Sequence, residues 1–140
     1  MKKIIFLLPL LLSFMGCSLD HDGDSQQPIY RLVPIVATNL PETFTAGETY
    51  EVEMTYVLPT SCHRFFTIQN QNTADVHLFG ILASVTQGSD CQETEQTGVA
   101  KFDLLVEPKE MYTFKFWQGV ENGQDIYLTV EVPVENAPAN

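Results

Sequence analysis

Ser61-Cys62-His63 sets a hydroxyl, a thiol and an imidazole side by side, the residue types of a nucleophile and its base. Consecutive strand residues point to opposite faces, so this order makes a poor catalytic pair. Asp20, Asp22 and Asp24 have the alternating acids that begin a calcium loop. An EF-hand needs glycine sixth and an acid twelfth. Here Gly23 is fourth and Arg31 twelfth, so only weak cation association by a flexible acidic segment is left. His21, His63 and His77 match no H-x-x-x-H or HExxH spacing, and zinc would need acids converging from separate loops. Exposed or hydrogen-bonded surface histidines are expected instead. No G-x-S-x-G, phosphate loop or nucleotide fingerprint occurs. The chain carries 18 Asp and Glu residues, so the carboxylate pair of a glycosidase could always be drawn and has no specificity. No catalytic residue, metal or cofactor is assigned.

Binding chemistry has a better candidate. Tyr112, Phe114 and Phe116 alternate with Thr113, Lys115 and Trp117, and Ile126, Leu128, Val130 and Val132 alternate with Tyr127, Thr129, Glu131 and Pro133. Pairing 116 with 128 and 114 with 130 keeps both apolar sets on one core face. That register sets Trp117 beside Tyr127 on the outer face, flanked by Lys115, Thr113 and Thr129. Exposed aromatics can stack on sugar rings or anchor a protein. The plain alternative is a cross-strand pair that stabilises the sheet by roughly 0.2–1 kcal/mol and binds nothing. The same parity predicts an odd loop of three or five residues centred near Asn122, with Gly123 left-handed, and not a two-residue Asn-Gly turn.

The elements that must hold these residues are strands. Tyr50, Val52, Met54, Tyr56 and Leu58 alternate with Glu51, Glu53, Thr55 and Val57, between a turn at Ala46-Gly47 and a stop at Pro59. Phe102, Leu104 and Val106 alternate with Lys101, Asp103 and Leu105. Shorter runs lie at about 29–37, 63–69 and 75–86, the last apolar on both faces and so central, or bulged at Gly80. About seven short strands with turn signals between them predict an all-β antiparallel sandwich over residues 29–135. Glu107-Pro108-Lys109-Glu110-Met111-Tyr112 resembles a tyrosine corner, and with it the broad immunoglobulin-like class of sandwiches. The cysteines do not sit where the antibody disulfide would.

The N-terminus has a different character. Lys2 and Lys3 precede an uncharged, mostly apolar stretch from Ile4 to Met15, too short for a stable span. Gly16-Cys17 closes it. This resembles the lipobox of bacterial lipoproteins, although Phe14 stands where Leu is usual and Met15 where a small residue is usual. The resemblance implies a signal peptide at 1–16 and an acylated Cys17; an ordinary secretory signal is the alternative. It further implies a cell-envelope protein held by lipid, in the outer membrane since Ser18 is not the Asp of inner-membrane retention, with the leaflet unassigned. Residues 17–28 are then a polar, acidic tether, and 136–140 a disordered tail.

Composition agrees with one exported domain. Removing residues 1–16 takes Lys2 and Lys3 and leaves five Lys and Arg against 18 Asp and Glu, a net charge of −13. Such a chain repels nucleic acid and anionic bilayer surfaces. With Cys17 given to lipid, Cys62 and Cys91 can form one disulfide; two free thiols or an intermolecular bridge are the alternatives. The expected function is a non-catalytic binding or structural module with a protein or glycan partner. An envelope inhibitor or chaperone acting through sandwich loops is second, and an enzyme third.

Overall fold

The computed structural model describes residues 27–88 and 90–136. The signal peptide, Cys17, Asp20, His21, Asp22, Asp24 and positions 137–140 lie outside them. Among the described residues there are nine strands and no helix. They are β1 (Ile29–Val33), β2 (Ile35–Thr38), β3 (Phe44–Thr45), β4 (Thr49–Leu58), β5 (His63–Asn72), β6 (Val76–Val85), β7 (Gln96–Leu105), β8 (Met111–Glu121) and β9 (Gln124–Glu135). They form two packed sheets, a β-sandwich. One sheet has the order β2-β4-β7. The other joins β1, β6, β8, β9 and β3, with β5 on the far side of β6.

The long periodic runs become the long strands. β4 buries Val52, Met54, Tyr56 and Leu58 and turns Glu51 and Glu53 outward. It pairs with β7 without a break, from Thr49 opposite Leu105 to Leu58 opposite Gln96. The turn before it forms at Gly47, whose φ of 87° suits glycine. Between the sheets, Phe79, Phe114 and Phe116 pack in mutual contact, and Phe79 also stacks on Phe102 at 4.8 Å. Across the core, Tyr56 stacks on Phe65, and a Cβ on its strand partner Gly98 would overlap the Tyr56 ring. Glycine is required there by contact alone.

The run expected over 29–37 is two strands. Pro34 has no N–H to give a ladder, and the chain changes sheets at that point. β1 pairs with β6, whereas β2 pairs with β4. Val33 and Ile35, on either side of the proline, are both buried, so the crossing itself fills the core. β6 is central and regular at Gly80; the irregularity lies opposite, at Phe66 of β5. The two-residue strand β3 is too short for periodicity to reveal. It nonetheless delivers the fully buried Phe44, ringed by Tyr50, Tyr112 and Phe114.

The last hairpin has the expected register and an unexpected loop. Phe114 faces Val130, Phe116 faces Leu128 and Trp117 faces Tyr127. The loop, however, is the two-residue Asn122-Gly123 turn between Glu121 and Gln124, with φ of 51° and 77°. Left-handed values at both positions are those of a type I′ turn. A bulge between Trp117 and Gly119 reconciles the two: one extra residue, Gln118, shifts the parity that the tight turn would otherwise impose. Gly119 takes a φ of 142° there, and the Gln118 amide donates to Ile35 O at 3.3 Å.

The tyrosine corner has its hydrogen bond. Tyr112 opens β8, and its hydroxyl accepts from the Glu107 amide at 2.8 Å. The strand order differs from the antibody arrangement, in which the C and F strands are neighbours. Here β6 lies beside β8, parallel to it, and β3 is parallel to β9. The sandwich is therefore mostly, and not wholly, antiparallel.

Candidate binding face

Strand alternation decides which side chains share the outer face of the larger sheet. On β8 these are Thr113, Lys115 and Trp117, and their partners on β9 are Glu131, Thr129 and Tyr127. All five residues expected to form a binding face thus lie on one surface. Because β6 runs parallel to β8, with Leu78 beside Lys115, the surface continues over Val76, Leu78 and Gly80. Beyond β6, Gln69 stands opposite Gly80 and Gln71 opposite Leu78. β1 adds Leu32 and Tyr30, which share the face with Leu82 and Ser84.

These residues make a trough along β6. A hollow of about 240 Å³ is bounded by Gln69, Gln71, Leu78, Gly80, Trp117 and Tyr127, with Leu32 and Asp125 at its margin. A second hollow of about 290 Å³ shares Gln71, Leu78 and Tyr127 and runs on to Val76, Thr73 and Lys115. Glycine at position 80 keeps the floor low: a Cβ there would lie 2.8 Å from Leu32 Cδ2. Trp117 is fixed, since its indole Nε1–H donates to Asp125 Oδ1 at 2.8 Å. At the far end of the face, Tyr30 packs on Phe66 with ring centroids 4.5 Å apart, and both are about half exposed. Thr113 and Thr129 share the surface but line neither hollow.

Strand alternation alone pairs Trp117 with Tyr127 but does not reveal Gln69, Gln71, Leu78, Gly80 or Asp125. Their signal was available in part. Asp125 sits two residues before Tyr127 and so shares its face. The other four reach the aromatics only through the parallel β6–β8 pairing, a contact between distant segments.

Cys62, Cys91, Ser61 and His63 have partners outside the trough. Cys62 and Cys91 are joined in a disulfide, with Cα atoms 5.4 Å apart. It ties the start of β5 to the loop after β6. Ser61 Oγ accepts from the Gln92 amide at 3.0 Å, and His63 Nδ1 lies 2.7 Å from Thr60 Oγ1. Ser61 and His63 are therefore not a hydrogen-bonded couple. His77 departs from the expected surface histidine. It is half-buried, with its ring against Tyr112 and Phe114, and its buried Nε2 has no partner among the described residues. Burial pushes its pKa down, the nearby Lys109 adds to this, and Glu107 opposes it. A hollow of about 370 Å³ beside it is walled by Leu104, Glu107, Lys109 and Tyr112. Among the described residues no three His, Cys, Asp or Glu side chains come together as metal ligands, and no helix is long and apolar enough to cross a membrane.

Comparison with protein-family models, with curated proteins and with solved structures gave no match.

Proposed function

We propose that this chain is a non-catalytic, lipid-anchored module of the bacterial cell envelope, and that it binds its partner on the outer face of the larger sheet. The observation that carries the binding face is the convergence of Trp117, Tyr127 and Lys115 with Gln69 and Gln71 around one trough. The anchor rests on Gly16-Cys17 closing an apolar segment, and it would hold the domain at a membrane although no helix among the described residues is long and apolar enough to cross one. The rival role, an inhibitor or chaperone working through loops, has less support. The exposed large apolar side chains among the described residues, such as Phe66, Val99, Leu105 and Val120, lie on strands.

Two experiments test these parts separately. Cys17→Ala should move the protein from the membrane fraction to the soluble fraction; unchanged fractionation would remove the anchor. A cross-linked pull-down from intact envelopes should recover a partner with the wild type and lose it with Trp117→Ala. Equal recovery by both would show that the partner is held elsewhere.

A further inference from the structure

We infer that the trough over β6 takes a neutral oligosaccharide, with sugar rings against Trp117 and Tyr127 and hydroxyls bonded to Gln69, Gln71 and Asp125. This deepens the binding-face proposal and rests on it.

Shape comes first. A compact apolar ligand needs a concave site that covers most of its surface. The trough extends over two hollows that share Gln71, Leu78 and Tyr127, with amide side chains at one wall and aromatic rings at the other. From Gly80 to Val76 it follows four residue steps of one strand, roughly 13 Å at ordinary strand rise. That form suits a chain laid along the sheet.

Chemistry then selects the chain. A sugar ring has an apolar C–H face and a rim of hydroxyls, each of which both donates and accepts. Trp117 and Tyr127, side by side on neighbouring strands, supply flat apolar surface at one wall. The Gln69 and Gln71 amides at the other wall each offer donors and an acceptor, which matches hydroxyls better than it matches carboxylates or phosphates. Asp125 holds the Trp117 indole in place at 2.8 Å and, as a carboxylate, keeps further acceptor capacity. The indole is thus set before a ligand arrives, which lowers the cost of binding.

Charge excludes the acidic alternatives. Lys115 and Asp125 border the connected hollows, one charge of each sign. The whole chain is at −11, so a polyanion would be repelled on approach.

Trp117 is the chain's one tryptophan, so its emission reports the site directly. Full-length protein in detergent would be screened on an array of neutral and acidic oligosaccharides. Neutral hits would then be titrated by tryptophan fluorescence. The expected result is a blue shift and protection from acrylamide quenching on binding at least one neutral oligosaccharide. Tyr127→Ala should weaken binding about tenfold, as loss of a central aromatic anchor does. Tyr127→Phe keeps the ring and guards against a folding artefact; it should stay within about threefold of wild type. Val99→Ser, on the other sheet, should change nothing. Silence of every neutral sugar, tighter binding of acidic ones, or undiminished binding by Tyr127→Ala would each overturn the inference. If the sugars are silent while the pull-down still depends on Trp117, the ligand is a protein and only the oligosaccharide inference falls. If the pull-down is also indifferent to Trp117, the face itself is wrong.

Discussion

The two outer faces of this sandwich are built on the same alternation and finished differently. On the smaller sheet, Glu51, Glu53 and Thr55 of β4 stand opposite Asp103, Lys101 and Val99 of β7. Lys101 Nζ lies 2.9 Å from Glu51 Oε1 and bonds Glu53 as well. The hydrogen bond to Glu53, followed by that to Glu51, holds the ammonium above its ordinary pKa. Lys101 thus answers both glutamates in partial contact with water, while Asp103 stands opposite Glu51 as a second acid. On the larger sheet the outward residues around the trough are chiefly Trp117, Tyr127, Gln69, Gln71, Leu78 and Gly80, and Lys115 makes no ion pair among the described residues. An inward-facing pattern of apolar residues fixes a sandwich; the outward-facing set remains free, and here the two sheets use that freedom in opposite ways.

The largest effect should fall on both faces together. Phe114→Ala removes a fully buried ring from the shared core and should cost about 3–5 kcal/mol in urea unfolding. Loss of tryptophan signal and of far-ultraviolet sheet signal should coincide. Separate transitions would mean that the sheets are independent, and the comparison would be between two units, not two faces.

Next in size is the disulfide, which ties the β4–β5 connection to the β6–β7 connection, both of which run between the sheets. Replacing both Cys62 and Cys91 with Ala opens a loop of 29 residues and should lower stability by about 2–4 kcal/mol. An unchanged unfolding midpoint would show that the link carries no stability.

At the seam between the sheets, His77 should give a pH response. Its pKa in the folded chain lies below the ordinary 6.5, first because burial disfavours the charged ring. The unfolded chain therefore binds the proton more readily. The stability His77 allows is complete above the unfolded value of 6.5 and is lost as pH falls from there through the lower folded value. His63 is shifted the same way, by burial and Arg31. His77→Phe should flatten the decline in midpoint between about pH 7 and about pH 5. A variant with the wild-type slope would place that decline elsewhere.

The smallest effects draw the contrast most sharply. Trp117→Ala should cost only about 0.2–1 kcal/mol of stability, the worth of a cross-strand pair, while abolishing partner capture. Lys101→Met should alter neither measurably, since exposed ion pairs add little. A large destabilisation by Trp117→Ala would make the aromatic pair structural.

Much of the contrast was legible in the chain. The β4 alternation and the 114–130 and 116–128 pairs follow from period two, and with them the Trp117–Tyr127 pairing. Only the turn departs from simple parity, because the bulge at Gln118 adds one residue to β8. Gly119 was its signal, as an interior glycine often marks one, but Gly80 carries the same signal and sits in regular ladder. Pro34 marked the change of sheets, which its missing N–H makes possible and which the Val33 and Ile35 side chains complete. The far wall of the trough was not legible. Gln69 and Gln71 look like ordinary polar strand residues until β6 lies parallel to β8, and that neighbour relation is set by packing across the whole core.

The crossing at Pro34 also determines how the domain bears mechanical load. β1 joins the chain before Ile29 to β6 through five paired residues, on the sheet that holds the trough. Tension between that end and a ligand held beside Trp117 therefore runs through β1 and β6 in shear, across ladder bonds that must yield together. If the proposed anchor and binding face hold, a pull between them would thus be borne by paired strands and not by a loop.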